Sequence, residues 1–335
     1  ELKADTHLDL VGDLDLGSGD SQLITVSEDA DFSVRAIKGS DVDLSIAGTA
    51  TLGGDTTLGV FEVNSDVELS KSNTLNSYTA TTTIEEGGTL RAGQAWSLSS
   101  KSIHQVDGKL VLGDNPERND NKGREDQAIG QLTGEGLVSV NKVSHLFYGG
   151  LGGDVEFSGT SEGNGSLVKE GSATTTFSGT FSHSGYTKVH GGTLLIGSEG
   201  KLNPASTVLL GGQRATLDLG GTTQSVDKIV LHNGKGGTLI NGNLDTGIVE
   251  VQGNGSIDNV GSNDGSASLV VDGLKPGGYL SLTGDNHFKD LTLKKGKVLL
   301  GATRERASVS HSLVLDGGVI GSAYRDALVL KGALT

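Results

Sequence analysis

Short runs of three to five residues, in which apolar and polar side chains alternate, recur along this chain, as in TLDLG (216–220) and IVEVQG (248–253). Alternation at period two is the mark of a strand with one buried face. The runs fall into two interleaved series. Val208, Ile229, Ile248, Leu269, Leu291 and Leu313 open the first, at steps of 21, 19, 21, 22 and 22. Leu217, Leu239, Ile257, Leu280, Val298 and Val319 form the second, at steps of 22, 18, 23, 18 and 21. Gly, Asn and Asp separate the runs and supply the turn conformations that side chains with a bulky Cβ resist. A unit of about 21 residues with two or three short strands cannot bury its own apolar face, but a stack of such units can. The pattern therefore predicts an all-β fold: a right-handed parallel β-helix of the pectin-lyase-like kind, with about 21 residues per rung. Each strand pairs with its equivalent one rung on.

The same reading extends upstream through THLDLVGDLDLG, SVRAI, DVDLSIAG and TTLGVFEV, so residues 1–335 read as a single β-helical domain. One stretch interrupts it. GDNPERNDNKGREDQAIGQ, residues 113–131, is polar, carries one of three prolines, and is expected to leave the rod as a loop. Loops of that length are often where function resides.

Composition narrows the picture. Glycine numbers 54 and cysteine none, which excludes disulfide frameworks, cysteine-based zinc sites and cysteine nucleophiles. No apolar run approaches the length of a membrane-spanning helix. The absence of Met and the start at Glu1 suggest a processed or excised segment. The net charge of −15 is concentrated: residues 1–90 hold 17 acids against 4 bases. Nucleic acid, which needs a basic surface, is not an expected partner. The acidic quarter is either a solvated face or a surface for cations and basic partners.

Residues 163–197, GNGSLVKEGSATTTFSGTFSHSGYTKVHGGTLLIG, carry a longer ordered motif. Gly165, Ser166, Leu167, Val168, Lys169 and Gly171 are followed by Ser178, Gly179, Ser184, Gly185, Thr187, Val189, Gly192, Thr193 and Leu194. In this order they resemble the repeat of autotransporter passenger domains of Gram-negative bacteria, of the AIDA-type adhesins. TTTIEEGGTLRAG (81–93) and GEGLVSVNK (134–142) are weaker echoes. The resemblance implies a passenger secreted through a membrane barrel that this segment does not contain, then displayed on the cell surface or released outside the cell. It further implies a non-enzymatic adhesin. Such an adhesin acts by self-association, giving aggregation and biofilm, or by binding host extracellular matrix such as fibronectin or glycosaminoglycan. The motif is structural and names no ligand.

Candidate chemistry is sparse. DLD at Asp13 and Asp15 and DVD at Asp41 and Asp43 place two carboxylates on one side of a strand. Such pairs suit contact with a partner or with calcium, and in some β-helical glycosidases they serve as acid and base. The bland reading is ordinary outward alternation. Partner contacts are expected at Asp13, Asp15, Asp41, Asp43 and Asp55, and in the loop at Asp114, Asn115, Arg118, Asn119, Asp120, Lys122 and Arg124. His183 and His190 are seven apart, and no HExxH or GxSxG occurs, so neither a metal site nor a catalytic site is expected, and no cofactor. Trp96, Phe147, Tyr148, Tyr186, Tyr279 and Tyr324 are the candidates for stacking on sugars, against core packing as the alternative. Two other functions stay open at this stage: a β-helical polysaccharide lyase or hydrolase, and a passive stalk.

Overall fold

Alternating runs fold as short strands, and the strands pair in parallel. The computed structural model describes residues 2–4, 7–17, 22–27, 30–38, 42–46, 49–52, 60–63, 66–69, 81–92, 95–113, 125–232, 236–261, 266–274, 278–300, 307–322 and 333–334. Among them there is no helix. The fold is a parallel β-solenoid with about 21 residues per turn, as the periodicity predicts. Much of residues 113–131, the expected loop, lies outside the described residues. The chain divides into two units, Glu1–Val168 with Ser182–Gly185, and Lys169–Phe181 with Tyr186–Thr335.

In the first unit two sheets run side by side. One runs from Leu2–Ala4 through Gln22–Val26, Val42–Ile46, Val60–Val63, Thr82–Ile84 and Ile103–Val106 to Gln131–Thr133. The other runs from His7–Asp15 through Asp31–Lys38, Thr49–Leu52, Asp66–Leu69, Thr89–Ala92, Lys109–Leu112 and Leu137–Val140 to Thr160–Glu162. Gln127–Ala128, His145–Tyr148 and Val155–Phe157 form a third wall. Leu90, Leu110 and Val138 stand in register and are fully buried, an apolar column one residue wide.

In the second unit long strands turn corners. Thr207–Asp218 pairs with Thr223–Leu231 through Thr207–Leu210, then with Gly237–Val251 through Ala215–Asp218. Between those halves Arg214 adopts a φ of +56°. The buried columns can be read from the pairings. One is Val208, Ile229, Val249, Leu269, Leu291 and Leu313; another is Leu194, Leu217, Leu239, Ile257 and Leu282.

These columns correct the sequence reading at three places by one or two residues. Val249, not Ile248, stands inside, and Ile248 is 41% exposed. Leu282, not Leu280, pairs with Ile257. Ile320, not Val319, pairs with Val298, and Val319 is 60% exposed. In GIVEV and GGVI apolar residues are adjacent, and in YLSL Leu280 and Leu282 both face inward, so alternation alone does not say which residue continues a column.

The glycine content has a direct steric cause in the first unit. Gly88, Gly108 and Gly136 each accept a hydrogen bond from the next turn, from the amides of Lys109, Leu137 and Thr160 at 2.8 to 2.9 Å. A Cβ on Gly108, Gly136 or Gly159 would sit under 3.0 Å from the carbonyl oxygen of the glycine one turn below. Backbone therefore lies directly on backbone at this corner, and only hydrogen fits between. We expect Gly136→Ala to lower unfolding free energy by about 2 kcal/mol or more, as overpacking does. Gly150→Ala, where a Cβ meets nothing within 4 Å, should change it by less than about 0.5 kcal/mol. Urea denaturation of both variants measures the difference, and equal midpoints would contradict the close-approach account.

Candidate functional site

Of the carboxylates expected to meet a partner, Asp13 and Asp15 are described with their surroundings. Both lie on His7–Asp15; Asp13 is half-buried and opposite Ala36, Asp15 exposed and opposite Lys38. Asp15 Oδ1 accepts the Gly17 amide at 2.9 Å and so closes the following turn. Asp43 is placed by its backbone on Val42–Ile46, between Leu23 and Val60. The Asp13/Asp15 strand and the Asp43 strand belong to different sheets, so these acids do not stack in one column. Asp41, Asp55, Asp114, Asn115, Arg118, Asn119, Asp120, Lys122 and Arg124 lie outside the described residues.

The histidines act separately. His183 is buried, its Nδ1 2.8 Å from Ser161 Oγ. His190 is exposed, its Nδ1 3.5 Å from Glu170. His311 Nδ1 meets Asp290 Oδ1 at 2.8 Å, and Ser312 Oγ donates to the same oxygen at 2.5 Å. The Ser312 bond is the first cause that holds the Asp290 carboxyl below its usual range. Among the described residues no group of three or more His, Asp or Glu is placed to hold a metal ion.

An extended polar feature lies on the outside of the second unit. Thr174, Thr193, Thr216, Thr238, Ser256 and Ser281 stand in register, one per turn, on the face opposite the buried leucine column. All six are half-buried, with Ser256 Oγ donating to Thr238 Oγ1 at 3.2 Å. Turn spacing in a parallel sheet is about 4.8 Å, so the hydroxyls form a regular line. Sequence reasoning missed this line. Its signal was present: a Thr or Ser stands immediately before the buried residue in TLLIG, TLDLG, TLING, SID and SLTG. Charged groups mark another side of the unit. Lys228 Nζ meets Glu250 Oε2 at 2.9 Å, and Gln252 Nε2 donates to Glu250 Oε1 at 2.6 Å. The Gln252 bond, then the Lys228 bond, lowers the Glu250 carboxyl.

The aromatic candidates separate clearly in the structure. Tyr148 is buried, which pushes its phenol pKa up. Tyr279 is 46% exposed, and Tyr324 lies outside the described residues. Trp96 and Phe147 come together: their ring centroids are 5.9 Å apart at 24°, and Trp96 is 45% exposed. His145 tilts against Phe147 at 5.9 Å and bonds Asp126 Oδ1 through Nδ1 at 2.9 Å.

No protein-family model matches the chain, and no solved structure matches it. Over 271 residues it is 29% identical to the adhesin BmaC autotransporter of Brucella suis biovar 1 (strain 1330). This chain is similar to an autotransporter adhesin. The aligned region covers 77% of the chain and 7% of the adhesin's own length, so the chain spans a small part of that protein. Similarity and parallel β-solenoid together are consistent with a type V autotransporter passenger domain, as the motif at 163–197 implied.

One histidine gives the passenger-like fold a pH dependence. His104 is fully buried beside the Ser102 carbonyl, and burial pushes its pKa down to about 4. In the unfolded chain it binds a proton near pH 6.5. The unfolded state therefore holds the extra proton between those values, and stability falls as pH drops from about 6.5 to about 4. Up to about 3 kcal/mol is lost across that window. His104→Gln should flatten this part of the stability-against-pH curve, measured by urea denaturation at half-unit pH steps. An unchanged slope would contradict the assignment to His104.

Proposed function

We propose that this chain is a section of a cell-surface adhesin whose outward strand faces, rather than a catalytic centre, make contact with the partner. The observation that carries the reading is the line of six hydroxyls from Thr174 to Ser281. It offers donors and acceptors at one fixed spacing on a backbone held by turn-to-turn hydrogen bonds. Each contact contributes about 0.5–1.5 kcal/mol net, and a register of contacts sums them. Many copies on one cell add avidity. The similarity to an autotransporter adhesin supports the same class of function.

Two partners suit such a surface: extracellular matrix, with fibronectin and glycosaminoglycan as the examples, and a second copy on a neighbouring cell, giving aggregation and biofilm. The acids Asp13, Asp15, Asp41, Asp43 and Asp55 and the polar residues between Asp114 and Arg124 are proposed as further contacts. Display at the cell surface, or release from it, belongs to the same proposal.

Thr193→Val, Thr216→Val and Thr238→Val together keep strand shape and remove three hydroxyls. Cells displaying the triple variant should settle more slowly, or lose about tenfold in attachment to immobilised matrix, at equal surface abundance. Unchanged settling and attachment would remove the hydroxyl line from the mechanism.

A further inference from the structure

The turn that presents Trp96 is held more firmly than its exposure suggests. Trp96 has φ +58°, a left-handed conformation that is unusual for a bulky side chain and costs about 1–3 kcal/mol. Such strain persists only where the surroundings fix it. Here the fixing groups come from the next turn. The Trp96 amide donates to the Asp126 carbonyl at 2.8 Å. Gln127 Oε1 accepts the amides of Ser97 at 2.9 Å and Leu98 at 3.0 Å. Ser97, Leu98 and Ser99 are buried, so the chain dives into the core directly after the indole. The ring is thereby set outward, stacked on Phe147.

Neighbouring side chains give this pair a polar edge. His145 and Phe147 alternate with the core-facing Leu146 and Tyr148; His145 is buried beneath Asp126 and Phe147 is half-buried. Ala128, in register with Phe147, adds only a methyl group there. Asp126 Oδ1 accepts both the His145 amide at 2.8 Å and Nδ1 at 2.9 Å. The Asp126 carboxylate keeps 17% exposure at this rim. A rigid aromatic face with an acceptor at its rim is what a pyranose ring requires. Its C–H face lies on the exposed indole, which Phe147 backs, and its equatorial hydroxyls donate to the carboxylate.

We propose that Trp96 and Phe147, with Asp126 at their edge, form a binding site for a neutral glycan. This deepens the adhesin reading and rests on it, since it names a ligand class for one spot on the surface. Charge selects the neutral class: the chain carries −15, and the acceptor is itself a carboxylate, so sulfated and uronate polymers are repelled. Size argues against a protein partner, since a stable protein interface buries about 800 Å² on each side and this platform is a single indole face backed by Phe147.

Trp96 is the chain's sole tryptophan, so its emission reports on the site alone. The 335-residue chain is titrated with cello-, chito- and galacto-oligosaccharides of four to six units, and in parallel with heparin and polygalacturonate. The proposal expects a saturable blue shift and protection from iodide quenching with at least one neutral oligosaccharide, and none with the charged polymers. By calorimetry, Phe147→Ala and Asp126→Asn should each weaken binding about tenfold, and Trp96→Phe less than Trp96→Ala. Unchanged circular dichroism shows that the variants fold, and Trp96→Phe, which keeps an aromatic face, carries the test if the Ala variants do not.

No emission change with any neutral oligosaccharide at millimolar concentration would overturn the proposal. So would equal binding of the charged polymers, or a shift that depends on protein concentration without added glycan, which points to a second copy instead. The wider adhesin reading is judged separately by attachment and settling of displaying cells. Cells that adhere while the purified chain ignores neutral glycans would sink this site and leave that reading standing.

Discussion

Backbone hydrogen bonds between successive turns are the constraint on which the other features of this protein depend. A strand in the middle of a parallel ladder is paired on both edges, so neither its amides nor its carbonyls need side-chain partners. That arrangement holds only if turns repeat at nearly constant length and if nothing protrudes where backbone meets backbone. The column Gly88, Gly108, Gly136 and Gly159 meets the second condition by removing every Cβ. The apolar columns meet the first: Val208, Ile229, Val249 and Leu269 superimpose because 20 or 21 residues separate them.

Fixing the inside also fixes the outside. Side chains alternate across a strand, so once Leu194, Leu217, Leu239 and Ile257 point inward, the residues before them point outward in an equally regular line. The hydroxyl line is thus a consequence of register, and an adhesive surface built this way inherits its spacing from the core. Trp96 differs. It stands at a strained turn that the side chain of Gln127 and the carbonyl of Asp126 hold in place, and it presents one point of contact in place of a line.

Much of this was legible in the sequence. Period, strand alternation, parallel stacking and the passenger motif all follow from residue spacing, because each reflects a repeat that the chain states many times over. Single positions were less legible. Ile248 and Val319 mark their runs in the periodic series but are exposed, since runs such as GIVEV and GGVI hold apolar residues at adjacent positions and either one satisfies alternation. Aromatic partners were not readable as a pair, because Trp96 and Phe147 are two turns apart and meet only through the third dimension. The carboxylate pairs DLD and DVD look equivalent as sequence, yet Asp43 stands on a different sheet from Asp13 and Asp15, because sheet membership depends on where the corners lie.

The in-register stack is tested most directly by cross-linking, for which a chain without cysteine is well suited. Cysteine pairs are introduced at Thr193 with Thr216, at Thr216 with Thr238, and at Thr193 with Thr238. Neighbouring turns lie about 4.8 Å apart, within the span of a disulfide, whereas alternate turns lie about 9.6 Å apart, beyond it. The account predicts rapid oxidation of the first two pairs within one chain and none of the third. Equal oxidation of all three, or failure of the first two, would contradict it.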